Sequence, residues 1–209
     1  MKFYSLWLVA VCIVMFILQA VFPGVTDSLV LNQQSFPEIW RFVSSIFLHG
    51  SLEHLVLNMF ALILFGLILE KLIGSRKFLL VFLVSGILAN IVAVNFYDSS
   101  LGASGAIFGV LGTLTVIKPL MTVFVYAVPM PMFIASIVWA IIDILGVFYP
   151  QGVGNFAHLS GLVLGLIFGF YLRLSHSKKQ DQRFRAYSST TRLNIPEDAM
   201  RGWENRWLR

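Results

Sequence analysis

Charge is what this sequence has least of. Charged residues make up 12% of the 209-residue chain, against roughly 25% in ordinary soluble domains. With 58% hydrophobic residues and a mean hydropathy of +0.83, so short a chain lacks the interior volume to hide its apolar surplus. A cytosolic enzyme, a secreted disulfide scaffold and a disordered chain are excluded. Lipid is the solvent this composition fits. Cysteine is reduced to Cys12 alone, which rules out an internal disulfide and says little about compartment. No H-E-x-x-H stretch occurs, which removes the usual zinc-protease signature. Carboxylates are scarce within the apolar runs. Asp143 is the one Asp well inside such a run, and Glu53 and Glu70 lie at run ends, so a proton-sharing aspartyl pair has no second member. Broken helices in matching halves, or rows of polar residues along a pore, are likewise missing, which argues against a transporter or a channel.

What is present is a set of six apolar runs, roughly 4–22, 52–70, 78–97, 102–118, 130–147 and 157–174. Each is near the ~20 residues that a bilayer-crossing helix needs. The first run ends in Gln19-Ala20-Val21-Phe22-Pro23 without a small-x-small cleavage site, so a retained span is expected rather than a signal peptide. Leu120–Val128 is apolar as well but would overextend the fifth span. It reads as an interfacial loop, with Pro129 and Pro131 marking a helix start. Under six spans, Lys2, Lys71, Arg76, Lys77, Lys118 and every basic residue from Arg173 onward fall on one side, and Arg41 alone on the other. Cytoplasmic loops collect Lys and Arg, so an all-α polytopic bundle with both termini cytoplasmic is expected. The same bias explains the pI near 9.6 without nucleic acid. Residues 1–175 then form the membrane domain and 176–209 a basic polar tail. The tail starts as a Ser/Lys/Gln-rich linker. It ends with Met200, Trp203 and Trp207 at roughly helical spacing among Arg201, Arg206 and Arg209, which fits a short amphipathic helix on the membrane surface or a partly disordered tail.

Ionisable groups inside a membrane are costly and are functional candidates by default. His49, Glu53, His54 and Asn58 cluster around the start of the second run, Ser104 at the start of the fourth and His158 at the start of the sixth. In a six-span topology these three starts share one membrane depth. Gly105 and Gly109 are four apart, as are Gly161, Gly165 and Gly169, and small-residue faces of this kind let helices approach closely in lipid. Packing the two faces together brings the Ser104 hydroxyl to the His158 imidazole, a nucleophile and its base. The same spacing also fits a plain helix-packing motif with an incidental serine and a hydrogen-bonded histidine. His54 and Asn58, at i and i+4, share a helix face. Beside Ser104 they could hold a developing oxyanion, and otherwise they satisfy loop carbonyls. His49 is expected to tie down the loop before the helix. His49, Glu53, His54 and His158 lack a recognisable metal-ligand spacing. Asp143 is expected to pair with a backbone group or the Trp139 indole in a structural role.

Taken together, these residues resemble the rhomboid family of intramembrane serine proteases. Gly102-Ala103-Ser104-Gly105 is similar to its G-x-S-G motif, and Ala157-His158-Leu159-Ser160-Gly161 to its A-H-x-x-G motif. His49 through Asn58 resembles its H-x4-H-x3-N stretch, and Trp40-Arg41 its loop Trp-Arg pair. The resemblance implies a Ser–His dyad without a third acid, Ser104 as nucleophile and His158 as general base. It implies oxyanion stabilisation by His54, Asn58 and the Ser104 backbone amide. It also implies a short fourth helix beginning below the outer surface, with water reaching Ser104 through a cavity, and Phe148–Phe156 as the loop over it. Phe108 stands where the family often has Tyr, and either ring can stack on His158; a lipid-facing or plain core Phe is the alternative. The implied substrates are single-span membrane proteins cut near the outer end of their helix, after a small residue, with no metal or organic cofactor. The compact six-span form suggests a prokaryotic plasma membrane. A catalytically silent relative that binds membrane helices, and an unrelated transporter or scaffold, are the rival classes. The last predicts that Ser104 and His158 lie far apart.

Overall fold

The structure is a computed structural model that describes residues 2–33, 37–125, 127–149 and 154–190, with side chains described as far as residue 175. Contacts group the chain into two compact units, Met1–Tyr171 and Leu172–Arg209, and the site described below lies in the first. The chain is mostly helical. Helix α1 spans Tyr4–Val21, α2 Leu52–Ile73, α3 Ser75–Ala93, α4 Ser104–Ile117, α5 Met132–Phe148 and α6 Asn155–Thr190. Among the described residues, α1, α2, α3 and the Asn155–Ser175 part of α6 are long and apolar enough to cross a membrane, whereas α4 and α5 are apolar but shorter.

The six apolar runs therefore coincide with six helices, with shifted ends. Helix α3 begins at Ser75 and stops at Ala93, ahead of residue 97. Helix α6 continues to Thr190 through the stretch expected as a linker, where Lys, Gln, Arg and Ala are all good helix formers. The Met200–Trp207 segment lies outside the described residues. Leu120–Val128 is not a plain loop: Thr122–Val125 (β3) pairs antiparallel with Val128–Pro131 (β4), with Val125 opposite Val128. The alternation Thr122-Val123-Phe124-Val125 buries Val123 and Val125 and exposes Phe124, the period-two pattern of a strand. Pro131 then flanks the start of α5 as anticipated, but Pro129 lies within β4.

Helix α4 sits at the centre. It is buried along most of its length from Gly105 to Val116, as a helix apolar on all sides must be. Helices α1 and α5 turn Trp7, Val14, Ile17, Ile137, Ile141 and Ile144 outward, an apolar surface that calls for lipid rather than water. At one end of the bundle Glu70, fully buried, accepts hydrogen bonds from the Tyr4 N–H at 2.8 Å, the Ser5 N–H at 2.9 Å and the Ser5 hydroxyl at 2.8 Å. The carboxylate of α2 thereby caps the unpaired amides at the start of α1. A π turn at Leu62–Gly66 interrupts α2. Its extra residue rotates the segment carrying Glu70 relative to the segment carrying His54 and Asn58.

Candidate active site

Two contacts hold the chain entering α4: Leu31–Asn32 (β1) pairs with Ser99–Ser100 (β2), and the Gly102 N–H donates to the Ser45 carbonyl at 2.9 Å. Asn90 of α3 in turn holds the segment that carries this acceptor, donating to the Phe42 carbonyl at 2.8 Å and to the Ser45 hydroxyl at 3.0 Å. Gly102 has φ 125°, and a Cβ there would lie 2.7 Å from Cε1 of His54. Glycine at this position is what lets the His54 ring lie against the chain just before the helix. Ser104 opens α4 and is half-buried. As a first helical residue, its backbone N–H has no intrahelical acceptor and is free for a ligand.

His158 lies at the start of α6, which several contacts seat. The Phe156 N–H donates to the Tyr97 hydroxyl at 3.0 Å, and the Phe156 ring stacks on Phe96 at 3.8 Å. Further along, α6 meets α4 backbone to backbone. A Cβ on Gly161 would overlap the Gly105 carbonyl, and one on Gly165 the Gly109 carbonyl. The two glycine rows thus do face each other. The Cβ positions of Gly105 and Gly109, however, point at Ala89 and Ser85 of α3, so these glycines also admit a third helix. The His158 ring stacks nearly parallel on Phe108 at 4.3 Å and 6°. Its Nδ1 lies 2.9 Å from Oδ1 of Asp143. The expectation for Asp143 is corrected here: its partner is His158, not a backbone group or the Trp139 indole.

Helix α2 supplies the opposite side. The Ser51 hydroxyl caps it by accepting from the His54 N–H at 3.1 Å. Asn58 donates one amide hydrogen to the His54 carbonyl at 2.8 Å, which leaves its second N–H available. His49 is anchored through its backbone: its N–H donates to the Gln19 side-chain carbonyl at 3.0 Å, and Gln19 donates back to the His49 carbonyl at 3.3 Å. Its ring stands edge-on to His54 at 5.1 Å and is fully enclosed, without a well-formed hydrogen bond at either nitrogen. Burial, with the neighbouring His54 charge, pushes its pKa down to about 4 against a weak opposing effect of the Phe47 backbone.

Ser104, His158, His54, Asn58, Asp143 and Phe108 all line one cavity of about 1570 Å³. Among the described residues no hydrogen bond joins Ser104 to His158. Such bonds are often long in empty sites and tighten when substrate arrives. Residues 150–153, in the loop expected to cover the cavity, lie outside the described residues. No group of three metal-ligating side chains occurs among the described residues. Trp40 is half exposed, and Arg41 pairs with Glu38 and donates to the Val30 carbonyl at 2.9 Å, bracing the loop after α1. The Asp143–His158 pair carried a signal: in a six-span chain the end of the fifth run and the start of the sixth share one side of the membrane.

With fold and cavity in place, comparison with known proteins defines the class. The sequence model of the Rhomboid domain matches residues 37–175, and the chain belongs to the rhomboid family. It is an integral membrane protein. Among relatives, "RHOMBOID-like protein 6, mitochondrial" of Arabidopsis thaliana is 34% identical over 137 residues, covering 65% of this chain and 44% of the relative. "Rhomboid protein 1, mitochondrial" of Saccharomyces cerevisiae is 30% identical over 158 residues, covering 69% of this chain and 45% of the relative. "Rhomboid protease GlpG" of Haemophilus influenzae is 27% identical over 174 residues, covering 79% of this chain and 88% of the relative. The chain thus spans less than half the length of these plant and yeast relatives and most of that of the bacterial one.

Proposed function

We propose that this protein is an intramembrane serine endopeptidase that cuts membrane-protein substrates in or near their transmembrane helices. The observation that carries the reading is the shared cavity: a serine at a helix N-terminus, a histidine held in place by its neighbours and two further hydrogen-bond donors line it together. In this reading Ser104 Oγ attacks the scissile carbonyl carbon while His158 Nε2 takes its proton. The new C–O bond forms and the carbonyl π pair moves onto oxygen, where the Ser104 N–H, His54 and Asn58 receive it. Collapse breaks the C–N bond as His158 returns the proton to the departing nitrogen, and water repeats the sequence on the acyl-enzyme. A substrate helix must unwind to present its peptide bond, and its freed backbone groups need polar partners that lipid does not offer. A cavity that carries polar side chains among apolar helices supplies them, and single-span substrates, free to slide in from lipid, are the class it suits.

The topology that goes with this reading has six spans and both termini in the cytoplasm, by the Lys and Arg bias. The test is cleavage of a tagged single-span substrate by purified protein in liposomes, comparing wild type with Ser104→Ala and His158→Ala and adding a chelator control. Loss in both variants and indifference to chelator is the expected result. Cleavage that survives Ser104→Ala would overturn the assignment of the nucleophile.

A further inference from the structure

We propose that Asp143 is a positioning residue for His158 and completes a Ser–His–Asp arrangement where the family resemblance implies only a pair. The proposal deepens the protease reading and rests on it. The observation is geometric: Nδ1 of His158 lies 2.9 Å from Oδ1 of Asp143, with the two side chains 13% and 5% exposed. An ionised carboxylate can only accept. The Nδ1 of a neutral His158 therefore carries the hydrogen and donates it, and Nε2 keeps its lone pair. That is the tautomer a general base needs at Nε2.

The fold sets up this contact. Gly146 lies one turn beyond Asp143 on α5, and a Cβ there would sit 2.7 Å from the side-chain oxygen and nitrogen of Asn155. Asn155 lies one turn before His158 on α6. The pairs Gly146–Asn155 and Asp143–His158 are thus successive rungs of one antiparallel helix contact, and the glycine permits the close approach that brings the carboxylate to the ring. Phe108 covers one ring face at 4.3 Å, so imidazole rotation is restrained by stacking while Asp143 decides which nitrogen bears hydrogen. A carboxylate within an apolar helix is costly. The histidine it faces accounts for its place.

Two measurements on the full-length protein test this. The first is nitrogen-15 NMR of histidine-labelled protein, with His158→Gln used to assign the signal. Wild type should show the Nδ1–H tautomer for His158 at neutral pH, and Asp143→Asn, whose amide can donate to Nδ1, should lose it. This readout needs no substrate. The second is cleavage kinetics. Asp143→Asn should lower kcat by between about 100- and 10000-fold, the scale of a wrong-tautomer base, with KM and thermal midpoint unchanged. A structural role alone would lower the midpoint instead. An Nε2–H tautomer in wild type, or an Asp143→Asn protein with wild-type kcat, would overturn the positioning role while leaving the protease reading intact if Ser104→Ala is dead. A wild type that neither cleaves nor reacts with a fluorophosphonate would sink the protease reading, and the catalytic role of Asp143 with it, whatever the tautomer.

Discussion

The geometry of catalysis here depends on how closely α6 lies against α4, and one methyl group can test that dependence. In Gly161→Ala the added Cβ would overlap the Gly105 carbonyl oxygen and lie 3.0 Å from its carbon. Ordinary carbon contacts need about 3.5–4.0 Å. Because both obstacles are backbone within helices, neither can swing aside, and α6 must retreat by about 1 Å at that rung, which is the scale of misplacement that costs about 100-fold in rate. Ser104 adjoins Gly105, and His158 lies one turn before Gly161 on the same face, so the retreat separates the proposed nucleophile from its base. Overpacking of this kind costs about 1–3 kcal/mol in stability, which should lower the melting midpoint without unfolding the chain. The assay is cleavage of a single-span substrate in liposomes, with the folded fraction measured by thermal melting on the same preparation. Val163→Ala on the exposed side of α6 should match wild type in both. A folded Gly161→Ala protein that cleaves as fast as wild type would refute the claim that this contact sets the Ser104–His158 distance.

Two further outcomes follow from groups outside the proposed chemistry. Glu70→Ala strips the N-terminus of α1 of its three short hydrogen bonds to a carboxylate and should destabilise the fold by about 3 kcal/mol. Glu70→Gln should cost less, and equal melting midpoints for all three proteins would remove the capping role. His49, held down to about 4 from 6.5, stays neutral in the folded state at a pH where the unfolded chain already takes up a proton. Its stabilising effect is therefore complete above pH 6.5 and is lost as pH falls from 6.5 toward 4, with a total on the order of 3 kcal/mol. Melting curves across that range should flatten in His49→Asn, and an unchanged pH dependence would show that another group is responsible.

Much of this was readable in the sequence, for a physical reason. In lipid every backbone group must be satisfied within its own segment, so an apolar run of sufficient length has little choice but helix. Counting spans puts the starts of α2, α4 and α6 at one depth, and the Ser104, His158, His54 and Asn58 side chains line one cavity. Phe108 stacks on His158, one of the two placements left open where the rhomboid resemblance puts an aromatic ring. Two features were hidden by context. Thr122–Val125 alternates as a strand does, but a hairpin is not the first reading of an apolar stretch between spans. The extension of α6 to Thr190 lay beyond the hydropathy that marks a span, where only propensity speaks. Side-chain partners were the least legible, because they depend on which rung of one helix meets which rung of the next.

The two buried carboxylates among the described residues of the first unit show how such partners can be found. Glu70 lies toward the end of α2 and meets the start of α1, and Asp143 lies toward the end of α5 and meets the start of α6. In both cases the acid reaches donors at the beginning of an antiparallel helix. For Glu70 these are the amides left unpaired at a helix N-terminus, and for Asp143 it is an imidazole carried there. An acid inside an apolar helix has few ways to offset its lost hydration, and most of them require N–H or O–H groups at its own depth. Helix starts concentrate such donors, while the middles of apolar helices have almost none. The question to ask of an acid near the end of a span is therefore which helix begins at that depth. Put to Asp143 under the proposed six-span topology, it points to α6 and to the one ionisable side chain in its first turns, His158.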